Sequence, residues 1–318
     1  MGKIILTTTA SFAEAVSSSD LKVKLAERGM ETILYDSFLP PFPFGVNDVF
    51  ALVAGHTLKG EMLQVGRREA AIFPNLRIVS PFGIGVNHLQ IPELERLGIV
   101  VKILPHFSKR TVAELTISFV LALARRLVPL TQLMQAGVWK RENAVNIAGK
   151  TLGIIGLGAI GKEVAKLGQA LGMRILAYDL VYEESVWNEL GVERGDQEQI
   201  IREADFLTLH LPYTSETKNL LGRAAIMKMK KGAYFINTAR GGVVDESALL
   251  EALEKGNLAG AALDVFSTEP PFANEALTRL IKLPNVIATP HIGAFTQETR
   301  YQIAKYICDE IIHLTEKV

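Results

Sequence analysis

The sequence predicts an α/β protein built from two doubly wound, parallel-sheet (Rossmann-like) domains. Apolar runs of strand length alternate with segments of helical period along the whole chain, as parallel strands joined by crossover helices require. The alternation starts afresh at Thr151, after a connector that carries Gly137, Trp139 and Gly149. With 318 residues, 48% of them hydrophobic and 21% charged, the chain is long enough for two domains with a core each.

In the first unit, strands are expected near 3–6, 32–35, 51–54, 76–80 and 99–102, with helices between them. One long helix is expected over 112–135, followed by the connector 136–150. In the second unit, strands are expected at 152–155, 175–178, 232–237, 260–265 and 285–288, with a helix over 159–171.

Composition excludes several classes of function. Lysine plus arginine balances aspartate plus glutamate at 34 each, so no global positive field advertises nucleic acid or an anionic membrane as a partner. An anionic substrate must therefore be attracted locally. Cys308 is the only cysteine, which rules out an intrachain disulfide and a cysteine cluster for a metal, and it suits a reducing cytoplasm. No metal is expected. The N-terminus passes directly into Ile4-Ile5-Leu6, without the apolar core of a signal peptide. The longest apolar stretch, 115–124, is interrupted by Thr116 and Ser118 and is too short to span a bilayer.

The most informative local motif is Gly156-Leu157-Gly158-Ala159-Ile160-Gly161, a G-x-G-x-x-G pattern. Its spacing alone is weak, but an apolar strand precedes it, a helix follows, and the next strand ends in Asp179. That is the context of a Rossmann-like dinucleotide site. Gly156 permits the tight turn, Gly158 lets backbone approach the pyrophosphate, and Gly161 allows close helix–strand packing. The helix start offers NH groups to phosphate. Asp179 would bond the ribose hydroxyls and repel a 2′-phosphate, which favours NAD over NADP. The plainer alternative is a glycine-rich turn that binds nothing.

Three later strands run into ionisable groups: Arg240 in Thr238-Ala239-Arg240, Glu269 before Pro270-Pro271, and His291 after Thr289-Pro290. Ligands of open α/β sheets bind outside the carboxyl ends of the strands, so these groups share an edge with the glycine loop. Reduction of a carbonyl by a bound nicotinamide needs a proton donor, a cation for the substrate carboxylate, and placement. His291, oriented by Glu269, suits the proton, and the fork of Arg240 suits the carboxylate. Singly, each has a bland reading: a loop-capping histidine, a solvated turn, an arginine paired with Asp245.

Together these blocks resemble the D-2-hydroxyacid dehydrogenase family over essentially the whole chain. The resemblance implies Arg240, Glu269 and His291 as the catalytic set, and Gly156, Gly158, Ala159, Ile160, Gly161, Asp179, His210, Pro212, Thr238, Ala239, Asp264, Thr111, His291 and Gly293 as cofactor contacts. Asp264 would bond the nicotinamide carboxamide. Phe82, Gly83 and Ile84 would meet the substrate together with Arg240 and His291. The family further implies a substrate domain of 1–99 plus 292–318, an NAD domain of 100–291, an active-site cleft between the two, and a homodimer built on the long helix.

Departures from the family pattern concern the substrate. The segment Ser80-Pro81-Phe82 stands where members acting on glyoxylate, hydroxypyruvate or phosphoglycerate often carry arginine, Ala10, Ser108 and Asn87 stand where arginine, asparagine and aspartate are usual, and Phe295 replaces a small residue. His106, Lys109 and Arg110 cluster before the long helix, where they would hold a second anionic group such as a carboxylate, phosphate or phosphonate; a solvated basic loop is the alternative. The expected reaction converts a small 2-keto acid and NADH into a D-2-hydroxy acid. Two other readings stay open at this point: a phosphite-type dehydrogenase of the same fold, and a non-catalytic NAD-sensing binding protein.

Overall fold

The computed structural model describes residues 3–83 and 85–316. The chain divides into two compact units, Met1–Ser108 with Ala294–Val318, and Lys109–Gly293.

Among the described residues, the first unit carries five parallel strands: β1 (Lys3–Thr7), β2 (Met30–Leu34), β3 (Val49–Ala54), β4 (Ile78–Pro81) and β5 (Val100–Val101), in the order β2-β1-β3-β4-β5. Adjacent residues of β1 face opposite sides. Ile5 joins Phe12, Val53, Ile307 and Ile311 under the helix Gln297–Glu316, whereas Leu6 joins Leu52, Phe73 and Leu94 on the other face. Both faces are covered, which is why the central strands read as unbroken apolar runs rather than alternating ones. An expected boundary after residue 99 would cut β5 away from β4, its hydrogen-bonded neighbour, so the first unit extends to Ser108. Its C-terminal part begins at Ala294, two residues later than the expected 292.

The second unit has seven parallel strands among the described residues: β6 (Thr151–Ile155), β7 (Arg174–Tyr178), β8 (Glu193–Arg194), β9 (Phe206–Leu209), β10 (Tyr234–Asn237), β11 (Gly260–Leu263) and β12 (Val286–Ala288). Their order is β12-β11-β10-β9-β6-β7-β8, so the winding reverses between β6 and β9. The carboxyl edge at that reversal is where such sheets bind ligands. Strand β9, which the sequence reading did not single out, is pinned on both sides, with Leu207 opposite Gly153 and Phe235.

The expected long helix is two helices, Lys109–Arg125 and Leu127–Gln135. Arg126 between them adopts a left-handed conformation, φ +52°. Pro129 explains the break: in a continuous helix its ring would clash with the Arg125 carbonyl and remove a hydrogen bond, whereas in a new first turn it is harmless. Ala113, Val120 and Leu123 of the first helix pack on Leu152, Ile154, Ile236 and Ala262. No helix among the described residues is long and apolar enough to cross a membrane.

A buried histidine couples stability of the first unit to pH. His88 is 5% exposed, its carbonyl accepts from the Val65 amide at 2.8 Å, and burial, aided by His56, pulls its imidazole down to about 4. Below its ordinary pKa of 6.5 the unfolded chain takes up a proton that the folded chain refuses until about pH 4. Stability is therefore complete above pH 6.5 and falls toward pH 4, by at most about 1.4 kcal/mol per pH unit. Urea unfolding between pH 7 and 4.5 should show this slope, and His88→Gln should flatten it; an unchanged slope assigns it elsewhere.

Candidate active site

The glycine loop at the end of β6 is shaped by two internal constraints and one opening. Gly156 has φ +101°, and a Cβ there would lie 2.4 Å from the His210 carbonyl oxygen. At Gly161 a Cβ would lie 2.1 Å from the Gly156 carbonyl oxygen. Around Gly158, by contrast, a Cβ would meet nothing within 4 Å. Gly158, which has no side chain to cap them, precedes the first-turn NH groups of the helix Ala159–Ala170. That is a cradle for phosphate.

Asp179, just past β7, accepts from the Leu157 amide at 2.6 Å and the Val181 amide at 2.9 Å, which fixes its carboxylate beside the glycine loop. His210 follows β9. Its Nε2 lies 3.2 Å from Thr208 Oγ1, and enclosure of the ring pulls it down to about 3, so it is neutral. The Pro212 carbonyl accepts from Thr217 Oγ1 at 2.6 Å.

The end of β10 is a turn closed by Asn237, which is 1% exposed. Its Nδ2 donates to the Arg240 carbonyl at 2.9 Å and its Oδ1 accepts from the Ala239 amide at 3.0 Å, so one side chain sets the path of the backbone that presents Arg240. Thr238 Oγ1 lies 2.8 Å from Thr116 Oγ1, tying this turn to the helix Lys109–Arg125. The Arg240 guanidinium is half-buried and donates to the Ala239 carbonyl at 2.6 Å; burial lowers its pKa, an effect that Glu269 opposes.

Asp264 follows β11 and is 1% exposed. Its Oδ1 accepts from Thr289 Oγ1 at 2.6 Å and the Ile292 amide at 2.8 Å, and its Oδ2 accepts from the Gly293 amide at 2.8 Å. Burial raises the pKa of this carboxyl. The work visible in the structure is thus to hold the loop after β12, the loop that carries His291.

His291 has φ +54°, a conformation that non-glycine residues seldom adopt, and its amide donates to the Asp264 carbonyl at 2.9 Å. Its Nδ1 stands 2.8 Å from Glu269 Oε2, while Glu269 Oε1 accepts from the Phe266 amide at 3.0 Å. A carboxylate facing Nδ1 keeps the proton there and leaves Nε2 to exchange a proton with a reacting group.

The structure therefore brings Arg240, Glu269, His291, Asp264, Thr238, Ala239 and Gly293 onto the carboxyl edge of the sheet that also ends in the glycine loop. Thr111 lies in the first turn of the helix Lys109–Arg125. In the first unit, Phe82 packs edge-to-face on Phe12 with ring centroids 5.7 Å apart, and the space around Gly83 is open. Ile84 lies outside the described residues. The basic cluster is less free than the sequence suggested. His106 and Lys109 are exposed, but Arg110 pairs with Glu114 at 2.8 Å and Glu163 at 3.6 Å. Sequence reasoning missed Asn237, whose signal was an asparagine at the last position of a strand.

The second unit is a Rossmann-type dinucleotide-binding unit with a histidine–carboxylate pair and an arginine on its ligand edge. Residues 117–293 match the model of the D-isomer specific 2-hydroxyacid dehydrogenase NAD binding domain. The chain is 38% identical over 273 residues to hydroxypyruvate reductase of Thermotoga maritima, covering 85% of this chain and 83% of that one. It is 42% identical over 239 residues to D-3-phosphoglycerate dehydrogenase of Methanocaldococcus jannaschii, but there it spans only 45% of the relative's length. Among solved structures, D-lactate dehydrogenase of Aquifex aeolicus, complexed with NAD and lactic acid, superposes with a TM-score of 0.83 at 27% identity, over 99% of this chain and 96% of that one. The chain belongs to the D-isomer specific 2-hydroxyacid dehydrogenase family. Its cofactor is NAD, which the open cradle at Gly158, the uncapped helix start and the carboxylate of Asp179 all fit.

Replacing Asp179 by alanine removes the acceptor of two loop amides and a negative charge beside the glycine loop. NADH affinity should fall by about tenfold, equivalent to 1.4 kcal/mol, and the margin over NADPH should narrow. Fluorescence titration with both nucleotides checks this.

Proposed function

We propose that this protein reduces a small 2-keto acid to the D-2-hydroxy acid at the expense of NADH. The observation that carries the proposal is the 2.8 Å contact between His291 Nδ1 and Glu269, on the sheet edge that also presents Arg240 and the glycine loop. Bound NADH would supply the hydride. The residues of the chain do the rest: Arg240 holds the substrate carboxylate and polarises the adjacent carbonyl, and His291 Nε2 gives its proton to the nascent alkoxide. Glu269 orients the ring and stabilises its charged form. In the reverse direction His291 takes the hydroxyl proton. The loop at Phe82 and Gly83 is the proposed substrate loop of the first unit.

One charge of the proposed second anion site, Arg110, is already matched by Glu114 and Glu163, which leaves only the exposed His106 and Lys109 for that group and favours a substrate with one carboxylate. The proposed setting is the cytoplasm and the proposed assembly a homodimer. The dimer reading is supported by the apolar side chains exposed along and after the second helix, Leu127, Met134, Val138 and Trp139, the last of them 78% exposed.

NADH oxidation with 2-keto acids of two to four carbons, beside phosphorylated and dicarboxylic ones, tests the reading. Turnover is expected with the simple acids, and silence across the panel with NADH binding retained overturns it in favour of a sensing role. His291→Gln should lower kcat by about two orders of magnitude or more and leave NADH affinity intact.

A further inference from the structure

Glu246 lies outside the set just described, yet it joins two of that set's loops. Asp245 caps the helix Glu246–Glu254 by accepting from the Ala248 amide at 3.0 Å, which places Glu246 at the first helical position. From there its carboxylate reaches across to the loop after β11. Oε1 accepts from the Ser267 amide at 2.9 Å, and Oε2 accepts from the Ser267 hydroxyl. The neighbouring amide, that of Phe266, is the one that donates to Glu269 Oε1. Backbone packing reinforces the junction, because a Cβ on Gly241 would lie 1.9 Å from the Phe266 carbonyl carbon.

Burial works against this carboxylate. The Glu246 carboxyl is pushed up by desolvation, and by Glu269 as well, with the two Ser267 donors pulling the other way. A half-buried carboxylate beside a second one persists there because the Ser267 amide and hydroxyl both donate to it, which makes the contact a built junction between the two loops.

We infer that Glu246 is a positioning residue for the proposed reaction: it clamps Ser267 so that the 266–269 loop presents Glu269 to His291, and it locks this loop to the one carrying Arg240. The inference rests on the assignment of His291 and Glu269 as the acid/base pair. The chain of contacts runs from Glu246 to Ser267, through the Phe266 amide to Glu269, and on to His291 Nδ1. At the far end Asp264 fixes the His291 loop. Release of the near end lets Glu269 drift while His291 stays in place. The ring then loses the acceptor that holds its proton on Nδ1.

The test reads the tautomer of His291 directly, from its ring nitrogen shifts in 15N-histidine-labelled protein at a pH where the ring is neutral, with His291→Gln assigning the signal. In the unaltered protein the proton should sit on Nδ1. Glu246→Ala should move it toward the Nε2–H form that imidazole favours in water, and with an active keto acid should lower kcat by about 10- to 100-fold while NADH affinity holds. Glu246→Gln keeps an acceptor for the Ser267 amide and should restore the Nδ1–H form. An unchanged tautomer in Glu246→Ala overturns the inference. So does a Glu246→Gln protein as altered as the alanine variant, since charge and not clamping would then be at work. If Glu246→Ala does not fold, Glu246→Ser, too short to reach Ser267 from the first helical position, takes its place, and an unaltered tautomer there is equally decisive. Because the tautomer is read without turnover, a protein silent on keto acids refutes the proposed reaction without deciding the clamp.

Discussion

The carboxylate of Asp264 is the interaction on which the second unit's ligand edge depends. It is almost wholly buried, yet it takes one hydroxyl and two amide donors from the five residues 289–293. Without it the left-handed turn at His291 would be tied to the sheet only through backbone bonds such as that from the His291 amide to the Asp264 carbonyl, and the amides of Ile292 and Gly293 would lose their acceptor, at about 1–3 kcal/mol each. The strain of an imidazole-bearing residue at φ +54° persists only because its surroundings over-determine it. The strand β11 thus supplies an acceptor at its end, and the next strand's loop wraps around that acceptor.

The same logic recurs at each neighbouring strand end. Asn237 folds the turn after β10, Asp179 ties the glycine loop after β6 to the loop after β7, and Glu246 joins the two loops between. At Asn237 and Asp179 a short acceptor side chain substitutes for the ladder partners that the backbone loses as it leaves the sheet. Arg240 sits three residues beyond Asn237, and Glu269 five beyond Asp264. Rigid strands set the positions, and short polar side chains convert them into directions.

The distinction explains what was legible beforehand. Gly156, Gly158, Gly161 and Asp179 could be read because their roles follow from local strand–turn–helix geometry, which spacing encodes. Arg240, Glu269 and His291 could be read because parallel strands deliver all their carboxyl ends to one edge. Asn237 and Glu246 could not, since what they hold is decided by turns that form only after the strands have paired. The long helix was misjudged for a related reason: its apolar pattern continues through Arg126, and only Pro129 signalled the break. Asp264 was read as a ligand contact from the family resemblance, while its three internal donors were invisible without the fold.

The three glycines of the loop carry different obligations. Gly156 and Gly161 are required by the protein itself, since any side chain there would strike backbone 2.4 Å or less away, whereas Gly158 is surrounded by nothing within 4 Å. Folding and the proposed dinucleotide recognition are therefore separable at a single methyl group. A chain with alanine at 158 has every reason to fold as this one does and a poor surface for a pyrophosphate. Inside a cell it would keep whatever the protein does as a folded body and lose what it does through its nucleotide.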